Sequence, residues 1–359
     1  MSRVGSRLAR MIGREGPIGV DRYMALCLEP YYGKRDPFGA EGDFITAPEI
    51  SQMFGELIGL WAAEVWRMMG SPSSFRLIEL GPGRGTLMAD ALRAGRAMPG
   101  FCEALGLHFV ELSPVLRQKQ AERLAASGVR PIWRANVADA LDGPAIVIAN
   151  EFLDALPVRQ FVMTEDGWRE RLVGLDGAGR FRFERAAERA AGIGEAAPVG
   201  TIFEQAEAAG EVVTRIGSHV AQAGGAALFV DYGSALAGFG DTLQAVKRHI
   251  CVDVFETPGE ADLTVQVDFG RLKPVAAAAG VAVHGPVTQA EFLFALGLRQ
   301  RAEALLRKAT PAQAEALSAQ VARLTDPGKT GMGALFKAFA VADKRLPPLP
   351  GFSGRSREI

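Results

Sequence analysis

The sequence predicts a doubly wound α/β fold, a mostly parallel sheet with helices on both faces. Three observations lead there. From about residue 75 onward, short apolar runs alternate with helical stretches, the pattern of successive βαβ units. The run 145–149 is apolar throughout, as a strand buried on both faces must be. The first run ends in the glycine-rich turn Glu79-Leu80-Gly81-Pro82-Gly83-Arg84-Gly85-Thr86, which opens into a helix at the place where doubly wound folds bind ligands.

In chain order, Arg3, Arg7, Arg10 and Arg14 precede the first acid, Glu15. They read as a short basic tail ahead of the folded domain, or as a mitochondrial presequence. Residues 16–70 hold a loop rich in Gly, Pro and Tyr, then a helix over 49–69 with Met53, Leu57, Leu60, Trp61, Val65 and Met68 at helical spacing. Thr46-Ala47-Pro48-Glu49 reads as its capping box. The strand ending at Leu80 leads to a helix over 86–95, a strand at 107–111, a helix at 114–126, a strand at 131–134 and the apolar strand 145–149. These supply strands one to four of a parallel sheet. Alternating segments around Asp176-Gly177-Ala178-Gly179, between 168 and 183, predict a β-hairpin inserted on that sheet. A helix near 206–222 and a strand at 227–231 resume the core. The connection 233–262, with Pro258 and Gly259, is too long for a plain turn and suits a functional, lid-like segment. A helix at 267–279, a strand at 281–284, helices over 288–324 and a segment at 334–341, readable as strand or helix, complete the chain. The expected division is an N-terminal cap over 1–70, a core over 71–235 with a hairpin insertion near 165–185, the rest of the core with loop and helical insertions over 236–345, and a tail over 346–359.

With 359 residues, 48% of them hydrophobic and 23% charged, the chain can bury a full core. Its net charge of −1 shows no basic excess, which argues against nucleic-acid binding. Cys27, Cys102 and Cys251 are far apart, and His108, His219, His249 and His284 are scattered, so neither a disulfide framework nor a metal site is expected. A reducing compartment follows. No window reaches the ~18 consecutive apolar residues of a membrane-spanning helix, so no stable membrane insertion is expected.

Gly81, Gly83 and Gly85 let a ligand approach the backbone and the first N–H groups of the following helix. A dinucleotide fingerprint places its third glycine at the sixth loop position, where this chain has Thr86. Glu79, two residues before the first glycine, suits a cationic ammonium better than a pyrophosphate, so the turn leans away from NAD. Glu111 ends the second strand, where an acid accepts hydrogen bonds from ribose hydroxyls; the alternative is a carboxylate capping the helix after Ser113-Pro114. Asp139, after the third strand, suits an adenine amino group or a turn acid in Asn136-Val137-Ala138-Asp139. The fourth strand runs into Asn150-Glu151-Phe152-Leu153-Asp154-Ala155-Leu156-Pro157, putting three polar side chains where substrate would be recognised. They could instead satisfy N–H groups of a following helix.

The chain resembles the MidA-like methyltransferases, the family of the mitochondrial complex I assembly factor that methylates an arginine. The likeness runs through Gly16-Pro17-Ile18, Tyr23-Met24, Gly42-Asp43-Phe44-Ile45-Thr46-Ala47-Pro48-Glu49-Ile50-Ser51, the glycine turn, Glu111-Leu112-Ser113-Pro114, Asn150 to Pro157, Asp231-Tyr232-Gly233, Asp262 to Phe269 and Gly285-Pro286-Val287-Thr288-Gln289. The resemblance implies a seven-stranded, Rossmann-like core that binds S-adenosyl-L-methionine, with a helical N-terminal cap. It also implies a protein arginine as acceptor, and in the characterised eukaryotic member a complex I core subunit that is symmetrically dimethylated. Glu79, Gly81, Gly83, Gly85, Thr86, Glu111, Asp139, Asn150 and Thr46 are then the expected cofactor residues, with Asp43 and Thr46 closing the site from the cap. Gln266 departs from the histidine of many relatives, which removes a histidine base from that segment.

A sulfonium is already a good leaving group, so such an enzyme mainly aligns acceptor and methyl and strips water from the acceptor. A guanidinium holds its proton to a pKa above ~12, so carboxylates must grip it and take up charge as the methyl arrives. Glu151 and Asp154 are the expected grip, with Asn150 orienting the acceptor or the cofactor's amino-acid end. A small-molecule methyltransferase would show a closed apolar pocket, a protein-directed one an open acidic cleft, and an assembly chaperone would bind cofactor without turnover. The bacterial cytoplasm is the expected location, the mitochondrial matrix the alternative.

Overall fold

The N-terminal arginines do not lie on a free tail. In the computed structural model, which describes residues 2–34, 46–329 and 331–352, they belong to helix α1 (Arg3–Glu15). Ser2 Oγ accepts the Gly5 N–H at 2.9 Å and donates to the Pro258 carbonyl at 2.5 Å. Leu8 and Ile12, one turn apart, are buried beside Tyr23, Met24 and Cys27. The basic-tail reading attended to charge alone and missed that apolar stripe. Strand β1 (Ile18–Gly19) and helix α2 (Val20–Lys34) follow where a loop was expected, because Tyr23 and Tyr31 are packing residues here, both fully buried.

The capping box is also corrected. Thr46 precedes a single turn, α3 (Ala47–Ile50), and makes no side-chain cap bond. The long helix α4 (Gln52–Met68) is capped by Ser51, whose Oγ accepts the Met53 N–H at 3.3 Å. Ser51 is extended, at φ −153°, and so separates the two helices. Gly42 to Ile45, with Asp43, lie outside the described residues.

The core then builds through β2 (Phe75–Leu80), α5 (Thr86–Gly95), α6 (Phe101–Ala104), β3 (Leu105–Val110), α7 (Pro114–Leu124), β4 (Ile132–Arg134), α8 (Val137–Ala140) and β5 (Ala145–Asn150). Next come β6 (Arg159–Thr164), β7 (Gly167–Leu175), β8 (Phe181–Arg185) and β9 (Ile202–Gln205), then α9 (Glu207–Ala223) and β10 (Gly225–Ser234). The connection after it folds as β11 (Gln244–Lys247), β12 (Ile250–Val252) and β13 (Asp262–Thr264), a small sheet of its own. Finally β14 (Val267–Asp268), α10 (Phe269–Ala278), β15 (Ala282–Thr288), α11 (Gln289–Ala295), α12 (Leu298–Leu306), α13 (Pro311–Thr325), α14 (Met332–Leu335) and β16 (Phe336–Ala342) close the core.

The main sheet runs β15-β16-β10-β5-β2-β3-β4, with β14 beside β10. From β4 to β10 every pairing is parallel, and β16 runs antiparallel to both its neighbours. Side chains alternate between the faces. Leu77, Ile146 and Ile148 meet α4 and α5 on one face, while Ile78, Val147 and Ala149 meet α9 and α10 on the other. The chain steps outward from β2 through β3 to β4, then returns to place β5 on the far side of β2. The crevice at the carboxyl ends of β2 and β5 is therefore the switch point of the topology.

The hairpin around 176–179 forms, but it is not inserted on the core sheet. β7 and β8 join a separate antiparallel sheet, β1-β7-β6-β9 with β8 on β7. Phe181 and Phe183 face Tyr23 and Phe255, so the hairpin's apolar side is covered by the N-terminal helices and the 233–262 connection.

Candidate active site

Gly81 and Gly83 leave β2 with φ of 59° and 52°, a left-handed backbone that side chains resist. A Cβ on Gly81 would lie 3.0 Å from the Phe152 ring. Gln120 Nε2 donates to the Gly83 carbonyl at 2.7 Å and to Glu111 Oε2 at 3.3 Å, bracing the turn from α7. A cavity of about 1180 Å³ opens here at the switch point, lined in part by Gly81, Gly83, Glu111, Glu151 and Asp154.

Glu111 follows β3 and is buried. It lines the cavity, while its Oε1 accepts the N–H of Ser113, the cap of α7, at 2.7 Å. Burial raises its pKa. The other expected cofactor residues do not themselves line the cavity. Thr86 Oγ1 donates to Glu49 at 2.5 Å, and Gly85 backs onto Gln120 rather than the cavity. Thr46 is buried, with its carbonyl accepting the Glu49 N–H at 3.0 Å. Asp139 is exposed and takes Asn136 Nδ2 at 2.8 Å, the turn-acid setting, while Asn136 itself lines the cavity. Glu79 and Asn150 lie at the carboxyl ends of adjacent strands, and Glu79 Oε2 and Asn150 Oδ1 are buried without a hydrogen-bond partner among the described residues. Burial pushes the Glu79 carboxyl up to about 8.

Beyond β5 the chain turns through Glu151, at φ 50°. Its Oε1 accepts the Ala47 N–H at 3.0 Å and Asn150 Nδ2 at 2.9 Å, joining cap to core. Burial pushes this carboxyl up to about 7. Asp154 is buried with Oδ1 unpartnered, and its carboxyl is raised well above the usual range by burial and then by Asp231, Asp262 and Glu151. Asp231 Oδ2 accepts the N–H groups of Phe152, Leu153 and Asp154 at 3.1, 2.9 and 3.2 Å. Burial and then Glu151 push Asp231 up to about 7. Asp262 accepts the Tyr32 hydroxyl at 2.8 Å, and Tyr232, Thr264 and Gln244 complete the wall through hydrogen bonds of 2.6 and 3.0 Å.

Asp231, Asp262 and Tyr32 were not singled out from the sequence as site residues. Asp231 follows the buried run of β10 just as Asn150 ends that of β5, and matching adjacent strand ends would have found it. Gln266 is exposed, and its segment gives the cavity Asp262 and Thr264 instead. Among the described residues, no group of three His, Cys, Asp or Glu is disposed to hold a metal ion.

This sheet order, with its glycine turn and strand-end acids at the switch point, defines a Rossmann-like methyltransferase fold. The chain belongs to the family whose model, described as "putative S-adenosyl-L-methionine-dependent methyltransferase", matches residues 57–287. It is 38% identical over 364 residues to a Danio rerio protein named protein arginine methyltransferase NDUFAF7, mitochondrial, covering 93% of this chain and 85% of that protein. The protein of the same name from Homo sapiens is 36% identical over 365 residues, covering 91% of this chain and 80% of that one. Among solved structures, a Burkholderia thailandensis superfamily member taken for a methyl transferase, bound to S-adenosyl-homocysteine, superposes with a TM-score of 0.83 at 29% identity. The match covers 98% of this chain and 94% of that one.

The residues present fit the family's cofactor. Gly81 and Gly83 present bare backbone to the cavity, and Glu79 Oε2 and Asn150 Oδ1, buried at the strand ends, are without a hydrogen-bond partner among the described residues, acceptors that an ammonium would satisfy.

Proposed function

We propose that this chain is an S-adenosyl-L-methionine-dependent methyltransferase acting on arginine side chains of a protein. The observation that carries the reading is the carboxylate cluster: Asp231, Asp262 and Glu151 stand close enough to Asp154 to raise its pKa, Glu151 likewise raises that of Asp231, and Asp154 Oδ1 has no hydrogen-bond partner among the described residues. Such a cluster wants a cation with several donors, which a guanidinium is. The names of the curated relatives support the same acceptor.

The bound cofactor supplies an electrophilic methyl group on a sulfonium. Gly81, Gly83 and Glu111 form its cradle, with Glu79 and Asn150 behind. Glu151 and Asp154 hold the guanidinium and orient one nitrogen. Asp154 Oδ1, already inclined to protonate, receives the proton that nitrogen gives up. Phe152 and Leu156 keep water from the acceptor, both lining the cavity. A complex I core subunit is the proposed acceptor protein, following the family resemblance. The mitochondrial names of the relatives support the matrix as its compartment over the bacterial cytoplasm.

The test is mass spectrometry of arginine methylation in complex I from cells with and without this protein, together with transfer of labelled methyl by the purified chain. Loss of one methylarginine on removal, restored by the active chain, is the expected result. A labelled small molecule with unmethylated protein would instead favour the small-molecule reading.

A further inference from the structure

The cavity that holds the carboxylates also has a basic wall, and the proposed chemistry uses none of it. Arg3, Arg7 and Arg10 recur at helical spacing on α1, are exposed, and line the cavity. The helix beneath them is anchored: Leu8 and Ile12 are buried in the cluster with Tyr23 and Tyr31, and Ser2 caps its first turn. Of the described lining residues from α1 and α2, three are arginines and one, Glu29, is acidic. None of the three arginines makes an ion pair with a described residue. One cavity is thus acidic around Asp154 and basic along α1.

A basic wall repels an isolated arginine or a lysine-rich segment, so it opposes the very cation the carboxylates attract. The two walls are reconciled by a ligand carrying both charges. We propose that the substrate segment pairs its acceptor arginine with nearby acidic side chains, and that Arg3, Arg7 and Arg10 read those acids. This rests on the arginine reading of the site. The ridge from Arg3 to Arg10 is about 10 Å long at the rise of an α-helix, which about three residues of extended peptide would span. A lipid surface is the poorer partner, because the apolar side of α1 is buried and cannot enter a bilayer interface.

The test uses the full chain with S-adenosylhomocysteine and fluorescent peptides containing one arginine. A pair of glutamates is moved stepwise away from the arginine on either side, each peptide matched by its glutamine counterpart. At some offset the glutamate peptide should bind about tenfold tighter, the scale of two or three partly screened ion pairs. That gain should shrink in high salt. The double variant Arg7→Glu with Arg10→Glu should erase it, leaving S-adenosylmethionine affinity as it was and binding the glutamine peptides, which carry the same arginine, no more weakly than before. Arg7→Gln with Arg10→Gln should do the same if the charge reversal perturbs α1, which circular dichroism checks.

No gain at any offset, with glutamine peptides still methylated, overturns this inference and leaves the proposed function standing. A gain that depends on Arg7 and Arg10, with no peptide methylated, keeps the basic ridge as an acid reader and removes the arginine reading. A parallel loss of S-adenosylmethionine affinity in both variants would assign the ridge to the cofactor and overturn it. So would binding of wild-type chain, but not the variants, to phosphatidylglycerol vesicles without any peptide gain.

Discussion

Leu153 donates its backbone N–H to Asp231 Oδ2 at 2.9 Å, tying the end of β10 to the loop that follows β5. Phe152 and Asp154 donate to the same oxygen, and the Tyr232 N–H reaches Oδ1 at 2.9 Å. One buried carboxyl thereby shapes the loop that holds Glu151 in a left-handed backbone, a conformation costing a non-glycine residue about 1–3 kcal/mol. In Asp231→Asn a donor replaces one of the two acceptor oxygens, so at least one of these N–H groups would face another donor. Stability should fall by about 1–3 kcal/mol in thermal unfolding, and methyl transfer should fall more than cofactor affinity. Wild-type stability and rates would show that the loop is held by other contacts.

Gly83 sits at φ 52° beside the cavity, where a β-branched side chain is both strained and in the way. Gly83→Val should abolish detectable S-adenosylmethionine binding by calorimetry while the far-ultraviolet circular dichroism stays native. Undiminished affinity in that folded variant would move the cofactor off this turn.

Glu111 lines the cavity and accepts the Ser113 N–H, and Glu111→Ala tests whether it also holds the cofactor. Losing a charged acceptor should weaken cofactor binding by about 1–3 kcal/mol, and loss of the Ser113 N–H bond should lower thermal stability as well. A drop in stability with an unchanged dissociation constant would leave only the capping job.

Much of the core was legible because burial on both faces writes itself as apolar runs. The strand 145–149 and its neighbours lie where that pattern puts them, and Gly81 and Gly83 reached the cavity because a tight strand-to-helix turn has a local signature. The cap was not legible for the complementary reason. In α1 the charges are conspicuous, and Leu8 and Ile12 become a core stripe only once α2 exists to cover them. Asp231 and Asp262 join Glu151 and Asp154 only through strand order, which no local spacing encodes.

Protonation of the cluster should show in the pH dependence. Glu79 is pushed up to about 8, and Glu151 and Asp231 to about 7, all above their unfolded values. The folded chain therefore binds more protons than the unfolded one, and the stability this contributes is full below the unfolded carboxylate pKa of about 4. It is lost progressively as pH rises from there through 7 and 8. Thermal unfolding of the cofactor-free chain should move to lower temperature across that window. An arginine peptide should bind more tightly over the same range, releasing protons, because a guanidinium favours the ionised carboxylates. Calorimetry in buffers of different ionisation enthalpy measures that release, and its absence would mean that the carboxyls are already ionised or do not meet the peptide.

Glu151 and Asp154 decide whether the cluster serves chemistry or architecture. Glu151→Gln keeps the oxygen that accepts the Ala47 N–H, and Asp154→Asn keeps the shape of a side chain whose Oδ1 has no partner among the described residues. Neither change should harm the fold, and relief of a buried acid's desolvation could raise stability slightly. Cofactor affinity should stay near normal, since Gly81, Gly83 and Glu111 are untouched. Methyl transfer to an arginine peptide should slow by roughly two orders of magnitude or more, the scale for losing a positioned charge at a reacting centre. Asp154→Asn should show the larger effect on the rate if its Oδ1 receives the proton, while Glu151→Gln should act more on peptide affinity if that carboxylate mainly grips. Unfolding of both variants would assign the pair to holding the loop after β5. Normal turnover by both would mean that the acceptor is held outside this cluster, and the arginine reading would lose the observation that carries it.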